Sequence, residues 1–478
     1  MNGAAKAISW SGLKRRALSL GAVKTFDHAM HFLLPVVLTR CLDTATFGEY
    51  RLLWLVVGTV MTIATLNMPG GLFYFVPRSD ARQRRLYVHQ TMLFLAVSGL
   101  LCAALVGPWN PLLPAAVAPL ERQGWLVPAF VALWVAAALL ETLPTIDERI
   151  RWQAYTTGTI AVLQVALVAG AAWFAGELRG VLWMLLAVVL AKLALLVYYV
   201  RRHHSLGRPW FERAAFSEQF RHCAPFGLSN ALYSLRVQTD QWVAASLFAL
   251  SSFAAFSIAA LVGAVVRVLR HSVMEAMMPT MSRLHAAGDV RAVVAMNGRA
   301  SAMVATVLYP LLALAFAFAE EIITVVYTAA YVEAAPAMRV YIAGMVALVV
   351  EVGGIVLLLR QGPFALRITA LALAVSIALS WGAAHAFGLA GAAAGSVAAI
   401  YLDRTLLLRR IARHTGIAVR ELQQWGALAR ALCAAVACAL LAWFAVEHFL
   451  AAAPALVRIA AGATLLALAY VPLWRMLR

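Results

Sequence analysis

Apolar stretches of about 20 residues follow one another along almost the whole chain, and nothing constrains its folding more. At about 1.5 Å per residue, a helix of that length crosses the roughly 30 Å hydrocarbon core of a bilayer. With 63% of 478 residues hydrophobic and 13% charged, a soluble globular fold is excluded. The stretches fall at 18–38, 52–76, 87–107, 125–144, 154–175, 179–200, 223–249, 253–278, 300–319, 339–358, 364–385, 388–408, 427–449 and 455–474. The expected fold is therefore all-α: a polytopic membrane protein with 14 transmembrane helices. These divide into two pseudo-symmetric six-helix lobes, 1–202 and 203–414, and two C-terminal helices in 415–478. The basic, polar stretch Arg201–His222 reads as the hinge between the lobes.

The 39 Lys and Arg and the formal charge of +18 do not mark a nucleic-acid binder, because the basic residues sit between apolar stretches and not in one patch. Sorted onto alternate sides of 14 spans, they fall mainly on one side, which the positive-inside rule makes the cytoplasm, together with both termini. Lys14, Arg15 and Arg16 precede the first stretch as in a signal peptide. Lys24 and Asp27 interrupt it, however, and no small-x-small site closes it, so it is expected to be retained. Cys41, Cys102, Cys223, Cys433 and Cys438 are odd in number and widely spaced, a pattern of neither disulfides nor zinc. No metal or cofactor is expected.

The first stretch is too polar on one side for a plain anchor. Lys24, Asp27, His28 and His31 recur at i, i+3, i+4 and i+7 and share one helical stripe. A charge at mid-bilayer costs about 2.5–3.5 kcal/mol on insertion scales, so such a stripe faces protein or water. Span 8 repeats the pattern with Arg267, Arg270, His271 and Glu275; span 7 carries Arg236 and Asp240 one turn apart, a spacing that also allows a simple internal ion pair. Glu351 lies deep in span 10. Lys192 is expected to snorkel to the interface, and Arg51 and Glu141 to be interfacial. The run Met68-Pro69-Gly70-Gly71 marks a kink or break in span 2. The methionines of MEAMMPTM read as packing.

The halves echo one another: TATFGEYRLLW follows span 1 as LSSFAAFSIAA follows span 7, aligning Phe47 with Phe253. The run TRCLDTATFGEYRLLWLVVGTVMTIATLNMPGGLFYFVPR, with its arginine, Phe-Gly-x-Tyr and terminal Pro-Arg, resembles the polysaccharide-export branch of the multidrug/oligosaccharidyl-lipid/polysaccharide (MOP) flippase superfamily. QTDQWVAASLF, SFAAFSIAALV, MMPTMSRLHAAGD and YTAAYVEAAPAMRVY resemble its second half. One departure is Leu42-Asp43, where that family usually has Leu-Gly.

The resemblance implies a flippase that moves an undecaprenyl-pyrophosphate-linked oligosaccharide from the cytoplasmic to the outer leaflet by alternating access, for O-antigen, capsule or exopolysaccharide synthesis. It places the chain in the bacterial inner membrane, with the bilayer and a polysaccharide polymerase or glycosyltransferase as partners. Lys24, Arg236, Arg267 and Arg270 are the candidate headgroup ligands, since guanidinium and ammonium groups suit a diphosphate. Asp27, His28, His31, Asp240 and Glu351 are the coupling or pairing candidates. The alternatives are a lipid II-type flippase and a multidrug or cation antiporter of the same superfamily; the dominance of basic over acidic intramembrane groups disfavours the latter. No Walker A sequence is present, and the longest expected external loop, Pro108–Gly124, has one Glu and no His, so neither an ATPase nor a membrane glycosyltransferase is expected.

The charge bias predicts that reporters fused after Arg85, Phe216 and Arg413 all report the cytoplasm; a periplasmic signal at any one would overturn the 14-span topology.

Overall fold

The computed structural model describes Phe26 and residues 29–477 apart from Leu112. Lys24, Asp27 and His28 lie outside the described residues, as do the side chains of Arg267 and His271. All regular structure among the described residues is helical, and backbone contacts divide the chain into two units, Met1–Ala231 and Leu232–Arg478.

The first unit holds α1 (Ala29–Cys41), α2 (Thr44–Thr65), α3 (Met68–Phe75), α4 (Ala81–Val106), α5 (Leu126–Ala136), α6 (Ile150–Ala175), α7 (Leu178–His203) and the start of α8 (Arg213–Leu247). The second holds the rest of α8, then α9 (Leu250–Leu261), α10 (Gly263–Ala286), α11 (Val290–Ala317), α12 (Ala335–Leu348), α13 (Gly353–Leu358), α14 (Gly362–Thr415), α15 (Trp425–Phe449) and α16 (Ala455–Leu477). Each of the 14 expected spans meets one or two of these helices. Nine helices among the described residues are long and apolar enough to cross a membrane by length and composition alone. One of the nine is α14, which contains two spans.

Local chemistry sets the helix ends. Asp43, the departure noted above, is the N-cap of α2: its carboxylate accepts from the Ala45 and Thr46 amides at 2.9 and 3.1 Å. Phe47 and Phe253, the aligned pair of the two halves, are both fully buried in the first turn of α2 and of α9. The expected break in span 2 is present but lies just ahead of the Pro-Gly-Gly run. Leu66 and Asn67 adopt left-handed φ of 40° and 58°, while Gly70 and Gly71 remain helical. In α14 the chain reverses at Gly388, whose φ of 60° and ψ of −140° suit only glycine. Gly391 and Gly395 then lie against Ala383 and Ser380, so close that a Cβ on either would collide with backbone.

The stretch expected as a hinge is anchored. His89 of α4 is buried with its ring nitrogens 3.2 and 3.0 Å from the Pro209 and Ser205 carbonyls, and it stacks on Trp210 at 4.4 Å. The Gln90 side chain accepts from the Glu212 amide at 3.0 Å. At the end of α7, Tyr199 and His204 both meet Asp147 Oδ2 at 2.7 Å. Burial alone would raise the Asp147 pKa, but the His204 and Tyr199 hydrogen bonds and the His204 and Arg84 charges outweigh it and hold the carboxyl below its ordinary 3.8.

Removing one partner from this buried cluster strands the others, so Asp147→Asn is expected to cost about 1–3 kcal/mol, read as a lower Tm in detergent. Because the folded pKa is depressed, the stabilisation by this carboxylate is complete above its unfolded value and is lost as pH falls through the folded one. The Tm gap between the two proteins is therefore expected to narrow only on acidification below about pH 4. An unchanged Tm at neutral pH would refute the assignment.

Candidate functional site

Span 10 is discontinuous: α12 stops at Leu348, α13 starts at Gly353, and Val349, Val350 and Val352 between them are almost wholly buried. Non-helical backbone at this depth needs partners within the protein. Glu351 is where they converge. Its amide donates to Ser301 Oγ at 3.2 Å, and its carbonyl accepts from Asn297 at 2.8 Å and Gln423 at 3.2 Å. Its own carboxylate accepts from the Val352 and Gly353 amides at 3.1 and 2.6 Å through Oε1. The other oxygen, Oε2, lies 3.2 Å from Arg270 Nη1, which also donates to the Leu348 carbonyl at 3.3 Å. Thus α10 is tied to the break through one guanidinium. Met274 and Met278 of α10 pack against Gly354, as the packing expectation required.

A cation missed by the sequence reading joins this pair. Arg404 on α14 lies within electrostatic reach of Glu351, Asp403, Arg270 and Tyr233, and its Nε is buried with no hydrogen-bond partner among the described residues. It escapes a hydropathy reading because the apolar stretch of span 12 ends at 408, which puts residue 404 at the membrane surface. The helix runs on to Thr415, placing Arg404 about 16 Å from its end at 1.5 Å per residue. Tyr233 is also the ring over which the Arg236 guanidinium sits, at 5.3 Å, and Arg236 Nε is likewise buried without a partner among the described residues. Arg270 and Arg404 therefore gather with Glu351 and Tyr233 in one unit, from α10, α14, the break and α8, and Arg236 joins them only through Tyr233.

Asp240 belongs to a neighbouring cluster. It does not use the spacing that would pair it with Arg236: Oδ2 accepts from the Tyr341 hydroxyl at 2.7 Å, Oδ1 from the Gln241 amide at 2.8 Å, and Ser396 supplies a further hydrogen bond. Gly395 packs on Ser380, so a second hydroxyl lies close by. The Ser376 and Ser380 hydroxyls are buried without partners among the described residues.

The first unit has its own intramembrane charges, and here the sequence expectation fails. Lys192 does not snorkel: it is 7% exposed, its ammonium 2.7 Å from Glu141 Oε1 and 4.1 Å from the Trp134 ring centre. Partners on two other turns of the unit satisfy the ammonium where it stands, which removes the reason to reach for water. Glu141, expected to be interfacial, lies in the tight turn that follows α5 with its side chain largely exposed. His31 is exposed on α1.

With this geometry in view, the family matches are specific. Residues 13–285 match the family model described as polysaccharide biosynthesis protein, and residues 156–460 match that of the lipid II flippase MurJ. The chain belongs to these families, within the MOP flippase superfamily. It is similar to a solved lipid II flippase MurJ in an inward closed conformation, with a TM-score of 0.73 over 96% of this chain and 99% of that one at 10% identity. An inward-facing multidrug-resistance MATE transporter of the MOP superfamily matches with a TM-score of 0.61 over 82% and 96% at 12% identity. The MATE multidrug transporter DinF-BH gives 0.60 over 86% and 98% at 15% identity. At such identities these likenesses show the fold. No curated protein matches the chain. It is thus an integral membrane protein of a lipid-linked flippase superfamily.

The Lys192–Glu141 pair predicts a measurable coupling. Lys192→Met and Glu141→Gln are each expected to lower the Tm, by on the order of 1 kcal/mol in stability because the carboxylate is largely exposed. The double variant should lose less than the sum. Additive losses would mean that the two do not interact.

Proposed function

We propose that this MOP-superfamily member moves an undecaprenyl-pyrophosphate-linked oligosaccharide from the cytoplasmic to the outer leaflet of the bacterial inner membrane, for polysaccharide biosynthesis, by alternating access. The observation that carries the reading is the gathering of Arg270 and Arg404 at the break in span 10, with Arg236 connected to them through Tyr233; Arg236 and Arg404 each have a buried Nε left unpartnered among the described residues. Guanidinium groups held inside a membrane unit and short of acceptors suit a diphosphate, which brings several acceptor oxygens and negative charge. The match of residues 13–285 to the polysaccharide biosynthesis model supports a glycan cargo. Lys24 and Arg267 join these arginines in the proposal on their sequence positions alone. A lipid II-type precursor is the second reading, favoured by the match of residues 156–460 to the MurJ model.

Outward movement of a headgroup with about two negative charges is favoured by an inside-negative potential, at roughly 2.3 kcal/mol per charge per 100 mV. Return of the empty carrier calls for a compensating ion. Asp240, with hydroxyl groups around it, and Glu351, tied to Arg270, are the coupling candidates in the second unit; His31 is one in the first, as are Asp27 and His28 by sequence. A polymerase or glycosyltransferase is proposed to take up the flipped product.

In liposomes holding the purified protein and a fluorescent lipid-diphosphate oligosaccharide, Arg404→Ala and Arg270→Ala are each expected to slow flipping ten- to a hundredfold, the loss of one charged hydrogen bond of about 1.5–3 kcal/mol. Arg404→Lys should recover part of the rate. Wild-type rates in both alanine variants would refute the headgroup role. A lipid II-type substrate flipped faster than the oligosaccharide would favour the second reading.

A further inference from the structure

The Pro-Arg at the end of span 2 has no part in the arginine cluster, yet it closes a pocket of its own within the first unit. The pocket, of about 480 Å³, lies in the size range of small-ligand sites. Its walls include Asn67, Phe73, Tyr74, Arg78, His222 and Phe226. Asn67, which lines it, is the second residue of the left-handed pair Leu66-Asn67, and Gly227 of α8 presses on the Leu66 backbone so closely that a Cβ there would collide. Two successive non-glycine residues in that region cost free energy and persist only where packing imposes them; such strain gathers at binding sites.

The chemistry of the walls is that of a site for a sugar ring. Arg78 stacks over one ring, Tyr74, at 3.9 Å, and His222 lies 4.5 Å from the same ring at an interplanar angle of 26°. The polar tier is therefore ordered by stacking. Phe73 and Phe226 remain 52% and 58% exposed, offering apolar faces of the kind on which the C–H face of a pyranose stacks. The Asn67 side chain, at a helix start it does not cap, has both amide donors and its acceptor for hydroxyl groups. A bare phosphate would use Arg78 and His222 but has no use for two exposed phenyl rings and an amide.

Resting on the flippase reading above, we infer that this pocket at the end of span 2, the end which the charge bias assigns to the cytoplasm, receives the sugar that adjoins the diphosphate of the lipid-linked substrate. Phe226 and Phe73 stack on the ring, Asn67 takes its hydroxyls, and Arg78 meets the neighbouring anionic charge.

The test uses the full chain in nanodiscs and two short-chain ligands, farnesyl diphosphate and farnesyl diphosphate bearing a disaccharide. Wild-type protein is expected to bind the glycosylated ligand at least tenfold more tightly. Phe226→Ala and Phe73→Ala should erase most of that difference, with less than a twofold change for farnesyl diphosphate, whose binding reports that the variants are folded. Phe226→Trp should retain it. Equal losses for both ligands, no loss for either, or competition by phosphatidylglycerol as effective as by the glycosylated lipid would overturn the inference and leave the flippase reading standing. Failure of wild-type protein to bind either ligand would remove that reading, and this one with it.

Discussion

Inside a hydrocarbon layer every backbone amide and carbonyl must find a partner within the protein, and in the second unit that requirement is met at a single residue. Glu351 interrupts span 10, and its amide, carbonyl and carboxylate together engage Ser301, Asn297, Gln423, Val352, Gly353 and Arg270. The broken helix is stable because α10, α11 and the segment before α15 each satisfy part of it. The same arrangement holds the Arg270 guanidinium in place beside Arg404. A carboxylate that completes the backbone and also neutralises a cation links architecture to the proposed ligand chemistry: an anion bound as proposed would compete with Glu351 for Arg270 without dismantling the break, because Oε1 keeps its two amide donors.

The two units solve the problem of buried charge differently. In the first, a buried Lys192 is matched by the Trp134 ring and by the largely exposed carboxylate of Glu141, so its charge is already balanced. In the second, Arg236 and Arg404 each keep a nitrogen unused among the described residues. Breaking a buried pair is costly, whereas an arginine short of acceptors gains from a ligand that brings them. The asymmetry singles out the second unit as the part of the chain more ready to accept an anion.

The all-helical, membrane-spanning class was legible in the sequence because hydrophobic length reports the bilayer directly. An ionisable residue inside an apolar stretch also stands out in a sequence, and Arg236, Asp240 and Glu351, singled out that way, are all buried. Partners were not legible. Lys192 and Glu141 lie on helices whose contact no periodicity encodes, and Asp240 chose Tyr341, far along the chain, over Arg236 one turn away. The break at Glu351 left only a faint signal, an acid followed by Gly353-Gly354 within a run of valines. In span 2 the glycines drew attention to the right region, but the left-handed turn fell on Leu66 and Asn67, where Gly227 packs on the Leu66 backbone, while Gly71 faces Cys223. Arg404 was lost through seven residues of helix that run past the apolar stretch.

Gly388 alone reverses α14, with no loop between the two limbs, and Gly391 and Gly395 lock the second limb against the first. Since each residue turns a helix by about 100°, one residue added to or removed from either limb near this corner would rotate everything beyond it. Ser396, Asp403 and Arg404 would leave their neighbours together. The corner thus acts as a length standard: substitutions along α14 are tolerable wherever the new side chain fits, but its residue count between Ser380 and Arg404 is fixed by geometry.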